Sequence, residues 1–398
     1  MKSLTKSLLN SCALLVAAGA FSGLSAAPFL SPMDGVDVYL NGTASASYNS
    51  NVLSAPGGPN KKDDYIMTFA PGLEVEWGHN SVTDVVFNYT ESFERYLDNP
   101  ALNSELSNVS LTVNREGAKL NLSGGVSYVQ NYNNTPSSAG LGLTSIIRSD
   151  TYNVNGNAMY SLSDKFNFNV GAAFTQVDYL YTVGQNFQNA DTYSIPASLY
   201  YVYSPELSFG LGYTYDQTDP KSAANGSSAG RWREDNAFTL NAQLTKFDKL
   251  TGSANVGVTS NYIAPGGGQS SQTTTTLSYG VDIDYALSDK VTFTLNGNRG
   301  FSTGSQGQNV ENTGAGLSAG YSYSDSISFS ANVISYTYSQ YLQTSRNDNT
   351  YSTGISANWR PKPYLTLSAG YTYFMNSSNA PGATYNINTV TISASVHY

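Results

Sequence analysis

The sequence predicts an all-β protein: a transmembrane, antiparallel, up-and-down β-barrel of about 18 strands, with short periplasmic turns on one rim and long extracellular loops on the other. Three observations carry this prediction. Apolar and polar residues alternate strictly over long stretches, tight polar turns recur about every forty residues, and charge is scarce while tyrosine is abundant.

Composition sets the class. Only 12% of the 398 residues are charged, against about 25% in an ordinary globular chain. Aromatic residues make up 13%, including 31 tyrosines, and there are 36 glycines. A disordered chain would be poor in aromatics and rich in charge. A wall between lipid and water needs apolar residues outside and small polar ones inside, with few charges on either face. One closed sheet can absorb a length that would otherwise suggest two or three domains. The single cysteine, Cys12, lies in the N-terminal apolar segment, so no disulfide framework is expected. The net charge is −9 and becomes more negative once Lys2 and Lys6 are removed, which argues against a nucleic-acid partner.

The elements follow in chain order. Residues 1–26 read as a signal peptide: Lys2 and Lys6 open it, Leu8 to Leu24 is mostly apolar, and Leu24-Ser25-Ala26 places small residues for cleavage before Ala27. As an anchor helix this segment is interrupted by Asn10, Ser11, Gly19, Ser22 and Gly23, and it is short for about 30 Å of hydrocarbon. Asn10 makes Leu9-Asn10-Ser11-Cys12 a poor lipoprotein signal. No other stretch approaches 18 consecutive apolar residues, so a membrane-spanning chain would cross with strands. Residues 27–35 are expected to be a short periplasmic segment and 36–398 the barrel. So short a leader argues against a separate plug or passenger domain.

Eight tight turns are expected near Gly78-His79-Asn80, Arg115-Glu116-Gly117, Ser163-Asp164-Lys165, Ser204-Pro205, Phe247-Asp248-Lys249, Ser288-Asp289-Lys290, Ser324-Asp325-Ser326 and Pro361-Lys362-Pro363. Three share Asp-Lys, in YSLSDKFNF, TKFDKLTGS and YALSDKVTF. A propeller blade would fit four strands into about 40–45 residues, whereas each repeat here holds two long strands. Longer polar connections intervene, such as 54–62, 133–147, 218–230, 264–271 and 376–382.

Alternation defines the strands. Tyr65, Met67, Phe69, Leu73, Val75 and Trp77 form one row, against Asp64, Thr68, Gly72, Glu74 and Glu76. Leu277, Tyr279, Val281, Ile283 and Tyr285 oppose Ser278, Asp282 and Asp284 in the same way. Sandwich strands usually run to about 5–6 residues, and these rows are longer. Eight hairpins give sixteen strands. One more near Val36–Val52 and another over Ala383–Tyr398 make eighteen, or sixteen in all if the hairpin at 98–133 is misread. Aromatics at strand ends, such as Trp77, Tyr160 and Trp359 by the short turns and Tyr48, Tyr96 and Tyr132 by the long loops, predict two interfacial girdles.

The last row, Val390, Ile392, Ala394, Val396 and Tyr398, ends in an aromatic residue. It resembles the C-terminal signal of outer-membrane proteins, which makes Tyr398 the candidate contact with the barrel-assembly machinery. In size, Tyr/Asn/Ser richness and SDK-type turns, the chain is similar to the β-barrel porin 2 family of Gram-negative bacteria. That resemblance implies an outer-membrane location and passive transport, and it supplies no catalytic or cofactor site.

A barrel this wide leaves an aqueous channel. Parity makes Glu74, Glu76, Asp84, Lys119, Arg233, Asp235, Asp282, Asp284 and Arg360 the pore-lining candidates, with Asp64 and Glu94 also facing inward. The excess of acids predicts a wide, mildly cation-preferring pore for small hydrophilic solutes. Outer-membrane lipid is the expected surroundings, and assembly as a homo-oligomer such as a trimer is left open. Catalysis is not expected: the two histidines, His79 and His397, sit at the short-turn rim, and no G-x-S-x-G or zinc-ligand spacing occurs. No cofactor or metal is predicted. The alternative is a plugged structural or adhesive barrel. The charge run Arg231-Trp232-Arg233-Glu234-Asp235 stands out as an ion-pair cluster near the outer rim or a constriction, or as a solvated strand start.

Overall fold

A computed structural model describes residues 27–79, 81–132, 134–138, 146–180, 187–221, 231–265 and 270–398. Residues 1–26, expected as a signal peptide and containing Cys12, the turn residue Asn80, Tyr181 and parts of the loops at 133–147, 218–230 and 264–271 lie outside the described residues.

Among these, nineteen strands form one sheet. A short β1 (Leu30–Met33) precedes β2 (Val36–Asn49), β3 (Asp64–Trp77), β4 (Thr83–Tyr96), β5 (Ser104–Glu116), β6 (Leu120–Tyr132), β7 (Arg148–Ser163), β8 (Phe166–Leu180), β9 (Ala190–Ser204) and β10 (Leu207–Pro220). There follow β11 (Arg233–Phe247), β12 (Leu250–Ile263), β13 (Gln272–Ser288), β14 (Val291–Thr303), β15 (Asn309–Ser324), β16 (Ile327–Tyr341), β17 (Asn347–Lys362), β18 (Leu365–Ser378) and β19 (Tyr385–His397). Each pairs antiparallel with its sequence neighbours, and β19 pairs with β2, from Thr389↔Asn49 to His397↔Asn41. The wall β2–β19 is therefore a closed ring of eighteen strands. The hairpin at 98–133 is real, as β5 and β6, so the sixteen-strand option falls away.

Several boundaries differ from the sequence reading: the last strand begins at Tyr385 rather than Ala383, the turn expected at 361–363 lies at 363–364, and two more differ at the N-terminal side. The segment 27–35 carries β1, which adds to β2 through Leu30↔Val38 and Met33↔Val36. The first wall strand stops at Asn49 rather than Val52, because Val52 and Leu53 turn away from the ladder and bury beneath the loops.

The apolar rows point away from the lumen. Phe69, Trp77, Leu211, Phe238, Leu240 and Ile392 are among the many large apolar residues on the outer face, and Ile392 is 59% exposed. Water-soluble monomers rarely carry continuous apolar patches beyond a few hundred Å², so a belt running round the whole ring calls for lipid. Aromatic pairs sit near its long-loop edge, including Tyr128–Tyr152 at 4.9 Å and Tyr213–Phe238 at 4.8 Å.

The short turns share one device. Six of these connections are two residues long, and in four of them a serine hydroxyl accepts a hydrogen bond from the amide two residues on: Ser163 from Lys165, Ser204 from Glu206, Ser288 from Lys290 and Ser324 from Ser326. Serine can close a turn locally in this way. In the β11–β12 turn Asp248 takes a φ of 55°, a left-handed conformation that aspartate tolerates better than most residues. Lys249 and Lys290 donate to the carbonyls of Leu287 and Tyr323 in adjoining turns, which ties the rim together.

Buried apolar side chains gather at the opposite rim. Val52, Leu53 and Ala55 from the β2–β3 connection pack with Tyr96, Leu102 and Ile146, against Ile66 and Tyr132. Ile147 and Phe187 form a second cluster with Tyr179. Ala383 and Tyr385 form a third with Phe374 and Ile387. What this protein has of a hydrophobic core lies beneath its long loops.

Candidate functional site: the lumen and its mouth

The lumen is lined by the row opposite the lipid-facing one. On β6–β8 that row reads mainly Asn, Ser, Thr and Gly, with Asn153 donating to the Thr175 hydroxyl across the ladder. Most of the wall is uncharged and hydrogen-bonding.

Charge is concentrated in two places at the short-turn end. On β2–β4 the lumenal row carries Asp37, Glu74, Glu76 and Asp84; Glu76 lies directly opposite Asp37, and Glu74 opposite Tyr39. Asn114 donates to Asp84 at 3.0 Å. His397 Nε2 lies 3.2 Å from Glu74 Oε1, and its ring stacks on Tyr39 at 4.5 Å. On the far side of the ring β13 presents Asp282 and Asp284, with the Thr294 hydroxyl donating to Asp284. Alternation puts Arg360 on the lumenal row of β17, beside a register shift. Lys119 sits in the β5–β6 turn rather than on a wall strand.

At the long-loop end the wall parts. The β13–β14 ladder stops at Tyr279↔Arg299, leaving Gln272–Ser278 of β13 paired only with β12. The β14–β15 ladder runs on to Thr303↔Asn309. Above the break, Thr303, Asn309 and Glu311 continue the row that lower down carries Phe293 and Leu295, yet they contact lumenal residues of β11–β13. Arg233 donates to the Thr303 hydroxyl at 2.8 Å and the Asn309 amide oxygen at 3.4 Å. Asn309 donates to Asn261 at 2.6 Å, and the Thr276 hydroxyl donates to Glu311 at 2.9 Å. Arg299 pairs with Glu311 at 2.7 Å. The top of the β14–β15 hairpin is therefore tucked inside its neighbours. Its tip reaches the β8–β9 connection, where the Gln188 amide donates to the Ser305 carbonyl at 3.0 Å.

Arg233 is the centre of this overlap. It pairs with Asp235 at 3.3 Å and donates to the Thr218 hydroxyl. Asp235 also accepts from Asn261, and Asp216 lies directly opposite Asp235 across the β10–β11 ladder. Two carboxylates side by side repel unless a cation stands with them, and Arg233 is that cation. Of the charge run picked out in the sequence, Arg233 and Asp235 face inward. Glu234 lies on the outer row, where it accepts from Asn236, and Arg231 donates to the Ala264 carbonyl.

A second contact spans the mouth. Arg346, in the β16–β17 connection, donates to the Pro136 carbonyl at 2.7 Å in the β6–β7 connection, roughly opposite on the ring. It is held by Asp348, which is fully buried, through a bidentate pair at 3.0 and 2.7 Å, and it stands over the Tyr341 ring at 4.6 Å. Burial works against the Arg346 charge, but Asp348, Tyr341 and Tyr385 together raise its pKa above that of an ordinary arginine.

Asp64, one of the inward acids, serves the loop rather than the solution. It is 1% exposed and accepts from the amides of Asp98 and Asn99 and from the Asn99 side chain. Glu94 accepts from the Ser104 hydroxyl. Sequence reasoning missed Asp37 and Asp216, although the parity of their strands marks both as lumenal. It also missed Arg299 and Glu311, whose signal was an otherwise lipid-facing row turning polar above Leu295. Among the described residues, no group of three or more His, Cys, Asp or Glu side chains could hold a metal ion.

The sequence matches the family described as Putative beta-barrel porin 2 over residues 41–398. No curated protein matches the chain. Among solved structures it is similar to the outer-membrane protein opdK from Pseudomonas aeruginosa, with 10% identity, coverage of 91% of this chain and 99% of that one, and a TM-score of 0.49. It is also similar to the ferric-catecholate import receptor Fiu from E. coli K12, with 10% identity, coverage of 91% and 82%, and a TM-score of 0.47. At this distance neither bears on function.

Proposed function

Because this chain belongs to the beta-barrel porin 2 family, we propose that it is an outer-membrane channel for passive diffusion of small hydrophilic solutes with a mild preference for cations. The observation that carries the proposal is the wall itself: eighteen strands close around a row of uncharged hydrogen-bonding side chains, with acids facing each other near the short-turn exit. Such a wall exchanges hydrogen bonds with polar solutes without holding them. The acids at 37, 74, 76, 84, 282 and 284 outnumber the bases at 119 and 360 at that end, so cations are enriched there.

The same reading has the precursor cleaved before Ala27 and the strand ending in Tyr398 engaging the barrel-assembly machinery. It places the protein in a Gram-negative outer membrane, as a monomer or a homo-oligomer, and assigns it no catalysis. A plugged, structural barrel is the second reading, favoured by one observation: the tucked hairpin and the Arg346–Pro136 contact both lie across the mouth.

Planar-bilayer recording of the protein purified from outer membranes separates the two. Stable steps, with a reversal potential favouring the cation in a salt gradient, are the expected result. Silence from protein that is β-rich and heat-modifiable sinks the channel reading and leaves the plugged barrel.

A further inference from the structure

We propose that the tip of the β14–β15 hairpin, residues 303–309, is a strap across the lumen that sets its conductance, and that Arg233 is the positioning residue that pins it shut. The inference rests on the channel reading and adds a gate to it.

Four observations bear on it. The strap touches the wall with the face that lower on the same strands looks to lipid, so the hairpin has tipped over its neighbours into the lumen. It reaches far enough to bond the β8–β9 connection through Ser305 and Gln188. The break in the wall lies beside Gly300, where an added Cβ would meet nothing within 4 Å, and Gly307 turns the tip with a φ of 74°. The attachments identified are polar: Arg233 donates to Thr303 and Asn309, Asn309 donates to Asn261, Thr276 donates to Glu311 at the base of the strap, and the Gln188 amide donates to the Ser305 carbonyl. Hydrogen bonds to water can replace such contacts at modest net cost, whereas an apolar interface would resist release.

Arg233 is the sensitive point because it serves two purposes. It neutralises Asp235 beside the facing Asp216, and it donates to Thr303 and Asn309 on the strap. Without the guanidinium the strap loses two hydrogen bonds and faces a pair of unneutralised carboxylates. With those attachments gone, the balance shifts toward the released state.

The test uses full-length protein extracted from membranes, checked for heat-modifiability and recorded in planar bilayers. Asn261→Cys and Asn309→Cys are combined and joined by a short, reducible bis-methanethiosulfonate linker. Step conductance is expected to be several-fold lower in the linked form than after reduction, and R233Q is expected to raise the step above wild type. A version with 304–308 replaced by Asn-Gly is expected to conduct at least as well as R233Q, and it covers the case in which R233Q fails to fold. Equal conductance from the linked, reduced and shortened proteins overturns the strap while leaving the channel intact. Silence from every form overturns both.

Discussion

At the residue scale, single polar side chains hold the long connections. Asn51 is fully buried, and its amide serves three backbone groups: it donates to the carbonyls of Ala55 and Asn386 and accepts from the Ala55 amide. An unsatisfied buried group costs about 1–3 kcal/mol, and relaxation around the site recovers part of the sum. Asn51→Ala is therefore expected to destabilise the β2–β3 connection by about 2–3 kcal/mol. Limited proteolysis of intact outer membranes should show faster cleavage within 54–63 while the wall remains resistant; unchanged cleavage would refute this role. Asp64 teaches the complementary lesson. Its parity was legible, and so was its inward direction, but its partners Asp98 and Asn99 lie 34 and 35 residues on. No local pattern announces a bond of that reach, so a loop staple looked like a pore acid.

At the element scale, the wall was readable because a strand's period is two and each face meets a different solvent. Adjacent residues on β19 make this testable. Ile392 faces lipid and Ser393 the lumen, at pairings Ile392↔Ala46 and Ser393↔Ser45. A charge on the lipid face of a barrel near the bilayer midplane costs about 2–4 kcal/mol. Ile392→Arg is expected to lower the temperature of heat-modification clearly and Ser393→Arg to leave it nearly unchanged; equal shifts would mean that the faces are misassigned. The long loops have no period, which is why the tuck of β14–β15 was hidden. Only the change from Phe293 and Leu295 to Arg299 along one row pointed to it. The serine-closed turns were half visible: the SDK motif marks two, at Ser163 and Ser288, while Ser324 before Asp325-Ser326 and Ser204 before Pro205 perform the same task in different contexts.

At the scale of the whole molecule, the proposed channel would owe its selectivity to how charge is spread around the ring. Asp282 and Asp284 stand opposite the acids of β2–β4, so a passing ion meets negative potential from both sides. Neutralising Asp282 and Asp284 to Asn is expected to move the reversal potential toward zero with little change in step size. A preference left unmoved would assign selectivity to the mouth instead. The ring also imposes a kinetic order. Neighbouring strands join through local connections, but the seam between β2 and β19 brings Thr43 and Ser395 together across 352 residues of chain. Closing a flexible loop of that length costs on the order of 5 kcal/mol in entropy, and until it closes both edges present unpaired backbone to any other strand. Zippering from hairpin to hairpin is cheap at every step but the last, so an arrested assembly would accumulate as an open, curled sheet one pairing short of completion.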